Sequence, residues 1–486
     1  MHTPDAVVVG SGPNGLAAAL TLARAGLKVE VYEGAEIPGG GCRTAELTLP
    51  GFAHDVCSTV HPLLAASPFF TAASLQGISL RTPPVAFAHP LDGGRCAAAV
   101  MSMSDTAASL GSDAGAYRRL FGPLVDDAAV LAPSLLAPLI APPTHPLAMT
   151  RFGVRGLWPL SALARAFRTE AGRALLAGLG AHSMRPLSAP GTVAFALLLG
   201  MLAHTVGWPV VEGGSARITD ALIAEFEAAG GVLHTGRPVT GLAELPPATV
   251  KLLDVTPRQL LALAGQALPP RCARALSRFR YGPGVCKVDW ALAGPVPWTA
   301  EACRQTATIH LGGTFEEIAH SEAEVAAGRH ADHPFCIAVQ PCLSDPSRAP
   351  EGRHTFYAYC HVPAGSTVDM TARIEAQIER FAPGFGDLVL ARHTVTAAQV
   401  ERENPNYVGG DINGGAATLR QTIMRPTFGL RRYRTPIDGV YLCSSSTPPG
   451  GGVHGMCGQG AARAALADVG GQELATGSHG SCRQSA

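Results

Sequence analysis

Lysine is nearly missing from this 486-residue chain: only Lys28, Lys251 and Lys287 stand among its 37 basic residues, which the 37 acidic ones cancel. Charged residues reach just 15%, so there is no basic field to gather nucleic acid or anionic lipid, and a polyanion partner is not expected. None of the twelve cysteines forms a Cys-x-x-Cys pair, which excludes a thiol-redox motif and a zinc ribbon. They read as small core residues of a reducing compartment. Seventeen histidines yield no His-x-x-x-His helix and no Cys/His quartet, so no metal is expected. A Ser nucleophile elbow, a phosphate P-loop and a paired-carboxylate signature are likewise missing, and with them hydrolase and kinase chemistry. Met1 to Asp5 lacks the charged-then-apolar leader of export, so the expected location is cytoplasmic.

What is present is apolar surface, at 47% of residues, on a length that suits two or three domain-sized units. Residues 6 to 9 read as a buried parallel strand, Gly10 to Gly15 as a turn, Leu16 to Ala25 as an apolar helix and Val29 to Tyr32 as a second strand, which is a βαβ unit. Ile218 to Ala229 followed by Val232 to His234 repeats the helix-to-strand pattern. Gly439 to Cys443, then a Gly/Pro loop, then a helix over Gln459 to Asp468 gives the third instance. The fold class expected is therefore α/β: a Rossmann-like dinucleotide domain assembled from 1–70, 210–268 and 432–470, with an interleaved α+β substrate domain from 71–209 and 269–431. Residues 471–486, rich in Gly and Ser, read as a flexible tail.

Two stretches carry no Asp, Glu, Lys or Arg: Ala128 to Thr150 and Pro186 to Val211. Prolines interrupt the first, and the second has an apolar centre of only Val193 to Ala203, so both read as buried helices. They suit the wall of an apolar cavity or a face resting on a bilayer, and the pattern leaves both open.

Gly10-Ser11-Gly12-Pro13-Asn14-Gly15 follows a strand and opens a helix, and Glu33 closes the second strand. Each part has a mechanical role in binding a dinucleotide. Gly10 makes the turn, Gly12 lets a pyrophosphate approach the backbone, Gly15 packs helix on strand, and Glu33 accepts from ribose hydroxyls. A second glycine turn, Gly39-Gly40-Gly41, with Arg43 beyond it, suits the longer reach of FAD, whose pyrophosphate needs a further cationic contact.

Residues 7–44, VVVGSGPNGLAAALTLARAGLKVEVYEGAEIPGGGCRT, resemble the amino end of the amine oxidase and phytoene desaturase superfamily of FAD enzymes. The carboxyl string PIDGVYLCSSSTPPGGGVHGMCGQGAARAAL resembles the closing motif of its phytoene desaturase branch, and KVDWALAGPVPW and GGDINGGA resemble internal blocks. The resemblance implies that Gly10, Ser11, Gly12, Asn14 and Gly15 form the pyrophosphate turn, Glu33 meets the adenosine ribose, and Gly40, Gly41 and Arg43 line the next stretch of FAD. It also places the backbone of Val239 at the adenine and those of Gly452, Val453 and His454 at the flavin pyrimidine. Lys287, on the alternating strand Val285 to Trp290, matches a lysine that holds water near flavin in amine oxidases; pairing with Asp289 is the competing account. Lys287 and His454 are thus the catalytic candidates. Asp411 and Asn413 either line the pocket or make a polar turn.

These readings converge on an FAD-dependent oxidoreductase that takes hydride from a small hydrophobic substrate, desaturating or isomerising a C–C bond, with oxygen or a quinone as electron acceptor. An amine oxidase and a non-catalytic lipid- or prenyl-binding protein are the alternatives. Peripheral membrane contact and a homodimer stay open.

Overall fold

The computed structural model describes residues 3–139, 144–426 and 432–480, with backbone only for 471–480. Two sheets organise these residues. The first has five parallel strands in the spatial order Val440–Leu442, Val250–Leu253, Ala6–Val9, Val29–Tyr32, Val232–His234. Ala6–Val9 is fully buried, as expected of a central parallel strand covered on both faces. The chain leaves this strand toward Val29–Tyr32 on one side and later returns to Val250–Leu253 on the other. The strand order therefore reverses between Ala6–Val9 and Val250–Leu253, and open α/β sheets bind ligands beyond the carboxyl ends of strands at such a reversal.

Helix Pro13–Arg24 follows the first strand, with Pro13 in the first turn, where its missing N–H costs no hydrogen bond. Ala216–Ala228 and the long carboxyl-terminal helix Met456–Gly480 pack beside it. At Gly458 the two chain ends come so close that an added Cβ would lie 1.8 Å from the carbonyl oxygen of Asn14. That last helix continues past Gly470 into the residues expected as a tail. Residues 481–486 lie outside the described ones.

The second sheet is mixed and has seven strands, in the order Val389–Val395, Gly284–Leu292, His354–Val362, Cys336–Val339, Thr308–Leu311, Val85–Pro90, Cys96–Val100. One face buries Cys286, Val288, Trp290, Phe356 and Ala358 against helix Thr371–Phe381. The opposite face carries Lys287, Asp289, Tyr357, Tyr359 and His310. The alternation expected around Lys287 therefore separates an apolar face from a polar one, and all nine residues of its strand are buried.

Above that polar face lie the uncharged stretches. Helix Thr192–Ala203 sits in a core with Phe121, Leu176, Trp208 and Phe335, and Ala128–Leu135 joins the same core. Residues 140–143 of the first stretch lie outside the described ones. Twelve residues rise about 18 Å, short of the roughly 30 Å of a bilayer core. No described helix is long and apolar enough to cross a membrane.

Candidate functional site

The glycine turn leaves the first strand with Gly10 at φ +96°, a conformation that disfavours side chains, while its N–H donates to Tyr32 O at 2.8 Å. A Cβ on Gly15 would lie 2.1 Å from the Gly10 carbonyl oxygen, and one on Gly12 would lie 2.8 Å from Asp254 Oδ2. Both positions need glycine for packing reasons that hold before any ligand is considered. Glu33 is drawn to this turn: its Oε2 accepts from the N–H of Ser11 at 2.7 Å and from Ser11 Oγ at 2.6 Å, and Oε1 accepts from the Ala35 N–H. Ser11 Oγ also accepts from the Gly39 N–H at 3.2 Å, tying the first glycine turn to the second.

A cavity of about 660 Å³ opens at the strand reversal. Gly10, Gly12, Asn14, Glu33, Gly40, Gly41, Arg43 and Val239 all line it. Ser11 and Gly15 lie behind the wall, bonded to Glu33 and Asp254. Arg43 is braced by its own Nε, which donates to Gly40 O at 2.8 Å. Asn14 Nδ2 reaches Ser445 Oγ at 3.4 Å, whereas its Oδ1 is buried without a partner. A buried, unsatisfied oxygen beside a helix N-terminus and a bare glycine backbone fits a ligand carrying donors and a phosphate.

Of the lining residues that the sequence reading did not single out, three shape the site most. Asp254 ends the strand Val250–Leu253 and accepts the Gly15 N–H at 2.9 Å. Asn406 holds it by accepting from the Thr256 N–H at 3.0 Å and donating to Asp254 O at 2.9 Å. Tyr407 presses its hydroxyl against the Gly41 backbone, where an added Cβ would lie 2.1 Å away. An acid closing the strand Val250–Leu253 was the one available signal, since Asn406 and Tyr407 approach from some 150 positions downstream.

Burial, reinforced by the Glu33 charge and opposed by the Gly15 N–H, pushes the Asp254 carboxyl from 3.8 up to about 7. A raised carboxyl binds more protons in the folded state. Its stabilising contribution is complete below pH 3.8 and is lost as pH rises through about 7. Asp254→Asn is therefore expected to flatten a decline in Tm between roughly pH 4 and 7, read by thermal melts of the cofactor-free protein. Parallel melting profiles for the two proteins would contradict this.

The closing loop is placed differently. Gly451 backs onto Asn413 O and Gly452, at φ +121°, onto Leu63, and Gly452, Val453 and His454 do not line the 660 Å³ cavity. Both ring nitrogens of His454 are engaged: Nε2 with Gly450 O at 3.1 Å, and Nδ1 accepting the Met456 N–H at 3.1 Å. Burial pushes its ring down to about 4, so the neutral ring fastens the start of the last helix. This geometry gives His454 a structural task and offers no free nitrogen for proton transfer. Asp411 likewise gathers the N–H groups of Gly282, Asn413 and Gly415, the geometry of the polar turn.

Lys287 lies elsewhere again, in a buried ionic network. Its Nζ donates to both carboxylate oxygens of Asp289 at 2.5 Å and to Asp55 O at 3.1 Å, and sits 4.5 Å from the Tyr357 ring centre. Burial alone would raise Asp289; Lys287 and His54 outweigh it and hold the carboxyl below its usual range. Asp55 is held low in the same way, against its burial, by Arg348 at 2.6 Å. The pairing with Asp289, the competing account of Lys287, is thus the one realised geometrically.

Residues 8–70 match the NAD(P)-binding Rossmann-like domain family. The chain is homologous along its full length to pyridine nucleotide-disulfide oxidoreductase domain-containing protein 2 of Mus musculus, with 28% identity over 96% of this chain and 94% of that protein. It is 24% identical to the neurosporene-forming phytoene desaturase of Rhodobacter capsulatus over 54% of each chain. The fold is shared with putrescine oxidase, at 18% identity and a TM-score of 0.59 across 96% of this chain and 99% of that one.

Proposed function

We propose that this chain is an FAD-dependent oxidoreductase that accepts hydride from an apolar substrate, desaturating or isomerising a C–C bond, with oxygen or a quinone as the final acceptor. The observation that carries the reading is the cavity at the strand reversal, where a bare glycine turn, a ribose-ready Glu33 and the unpartnered Asn14 Oδ1 converge. A second glycine turn and Arg43 extend that wall beyond what a mononucleotide needs. The phytoene desaturase relative supports the same direction. When bound, FAD supplies the two-electron chemistry, so no protein nucleophile is required.

The chain's own residues do the rest. Glu33 accepts from ribose hydroxyls, and Gly12 with the start of helix Pro13–Arg24 offers backbone N–H groups and a positive dipole end to phosphate. Lys287 and Asp289 hold a fixed, buried pair of charges on the polar face of the second sheet. The uncharged helix Thr192–Ala203 supplies the apolar wall. Anaerobic bleaching of the protein-bound flavin by polyenes, acyl chains and amines tests the substrate class. Bleaching by amines alone, with peroxide released on re-aeration, would replace this reading with an amine oxidase.

Apolar substrates reside in bilayers, and the surface offers a place to meet them. Leu147 is 77% exposed, Val154 57%, and Leu157 and Trp158 50% each, all in or just after helix Pro146–Gly156. Burying two such side chains is worth about 3 kcal/mol or more. Leu147→Asp with Trp158→Asp is expected to lower binding to phosphatidylcholine vesicles at least about 10-fold in co-sedimentation. Equal pelleting of both proteins would remove the membrane contact from the account.

A further inference from the structure

Two histidine rings, His182 and His310, meet nitrogen to nitrogen, with Nε2···Nε2 at 2.9 Å. His310 is fully buried on strand Thr308–Leu311 among Phe87, Trp208 and Phe335. His182 directly follows helix Glu170–Ala181 and is half-buried. Burial pushes His182 down to about 3 and His310 well below its usual value, so both rings are neutral and one nitrogen donates while the other accepts.

The unpaired atoms decide which one donates. His310 Nδ1 is buried without a partner, above Gly178, where an added Cβ would lie 2.4 Å from it. A proton there would be an orphaned buried donor, costlier than an orphaned lone pair. His310 therefore carries its proton on Nε2 and donates to His182 Nε2. That leaves the proton of His182 on Nδ1, for which no acceptor is found among the described residues.

Strand register places the sheet residues beside this pair. His310 lies opposite Ile337, Ile337 opposite Tyr359, and Tyr359 opposite Lys287, so the four share one face of the sheet. Three strand spacings put His310 about 14 Å from Lys287. Tyr359 lies deep inside the molecule yet keeps accessible surface, so its face borders internal space rather than bulk solvent. Leu198 and Leu199 of the uncharged helix, and Leu63 beneath Gly452, are half-buried against the same core. The floor thus carries His310 and Lys287 at its two ends, with Ile337 and the Tyr359 ring between them.

We infer that His182 is a substrate-binding subsite: its Nδ1–H donates to a neutral acceptor oxygen, a ketone, aldehyde, ester or alcohol, at the far end of an otherwise apolar substrate. The inference rests on the oxidoreductase reading above and narrows its substrate class. An ammonium group has no lone pair to offer this donor and is excluded from the subsite.

Equilibrium dialysis of the full chain against 2-nonanone, nonane and nonylamine tests it, with flavin content measured in parallel. One net hydrogen bond predicts that the ketone binds about 5- to 10-fold tighter than the alkane after correction for water–alkane partition. His182→Phe is expected to abolish that preference with flavin content unchanged, and His182→Gln, which keeps a donor, to retain most of it. Equal partition-corrected affinities, or a preference that survives His182→Phe, overturn the subsite. A colourless protein that refuses FAD contradicts the oxidoreductase reading instead, and the ketone preference is read in either case.

Discussion

Glu33→Ala is expected to weaken FAD binding by about 10- to 150-fold, the equivalent of losing hydrogen bonds to a charged acceptor worth about 1.5–3 kcal/mol. The physical ground is local. Glu33 stands at the end of strand Val29–Tyr32, and Ser11 and Ala35 hold its carboxylate at the rim of the cavity. Bound ribose would replace Ser11 as a donor, so truncation removes ligand contacts and one internal tether. The side chain is only half-buried, and the melting temperature of the cofactor-free variant should stay within a few degrees of the parent. Flavin absorbance against total protein after dialysis reads the affinity, and thermal melts read the fold. Unchanged occupancy would mean that the ribose contact lies elsewhere.

The second large effect falls on stability. Asp289→Ala leaves the Lys287 ammonium buried with only Asp55 O and the Tyr357 ring for company, and stranding one member of a buried pair costs about 3–5 kcal/mol. Lys287→Met leaves Asp289 with only His54, 3.5 Å away. Removing both, in Lys287→Met with Asp289→Leu, eliminates the uncompensated charge and is expected to recover more than half of either loss. Denaturant unfolding of the three variants forms a double-mutant cycle with a large coupling energy. Additive losses would show that the two side chains do not depend on one another. Anaerobic bleaching rates measured on the double variant then separate a purely structural pair from one that also serves the reaction.

The amino-terminal half of the site was legible because it is local. Gly10 to Gly15, Glu33, Gly40 and Arg43 lie within 34 positions, and each glycine answers a steric demand that a single strand-turn-helix imposes. The parallel strands Val29–Tyr32, Val232–His234 and Val440–Leu442 were legible for a similar reason, since glycine-punctuated apolar runs mark them. Asp254, Asn406 and Tyr407 were not, because their role depends on a strand returning to the far side of Ala6–Val9 and on a turn from the other sheet. Beyond the place of Asp254 at the end of its strand, nothing near these three in the chain announces that neighbour.

His454 and Lys287 show the complementary limit. Similarity of motif places a residue in a region, whereas its hydrogen bonds decide whether a nitrogen is free. Two bonds close the His454 ring, and an acid two positions along its own strand neutralises Lys287. The histidine pair at His182 and His310 illustrates the reverse. Residues 128 positions apart, neither in a motif, meet because helix Glu170–Ala181 ends over the sheet, and only the fold reveals the donor they expose.

The most direct measurement is chromatographic identification of whatever nucleotide is released from the purified, denatured protein after incubation with FAD, FMN and NAD in equal amounts. Close to one FAD per chain, with FMN and NAD left behind, is the predicted result. Selective retention of NAD, or of no nucleotide at all, would contradict the central claim.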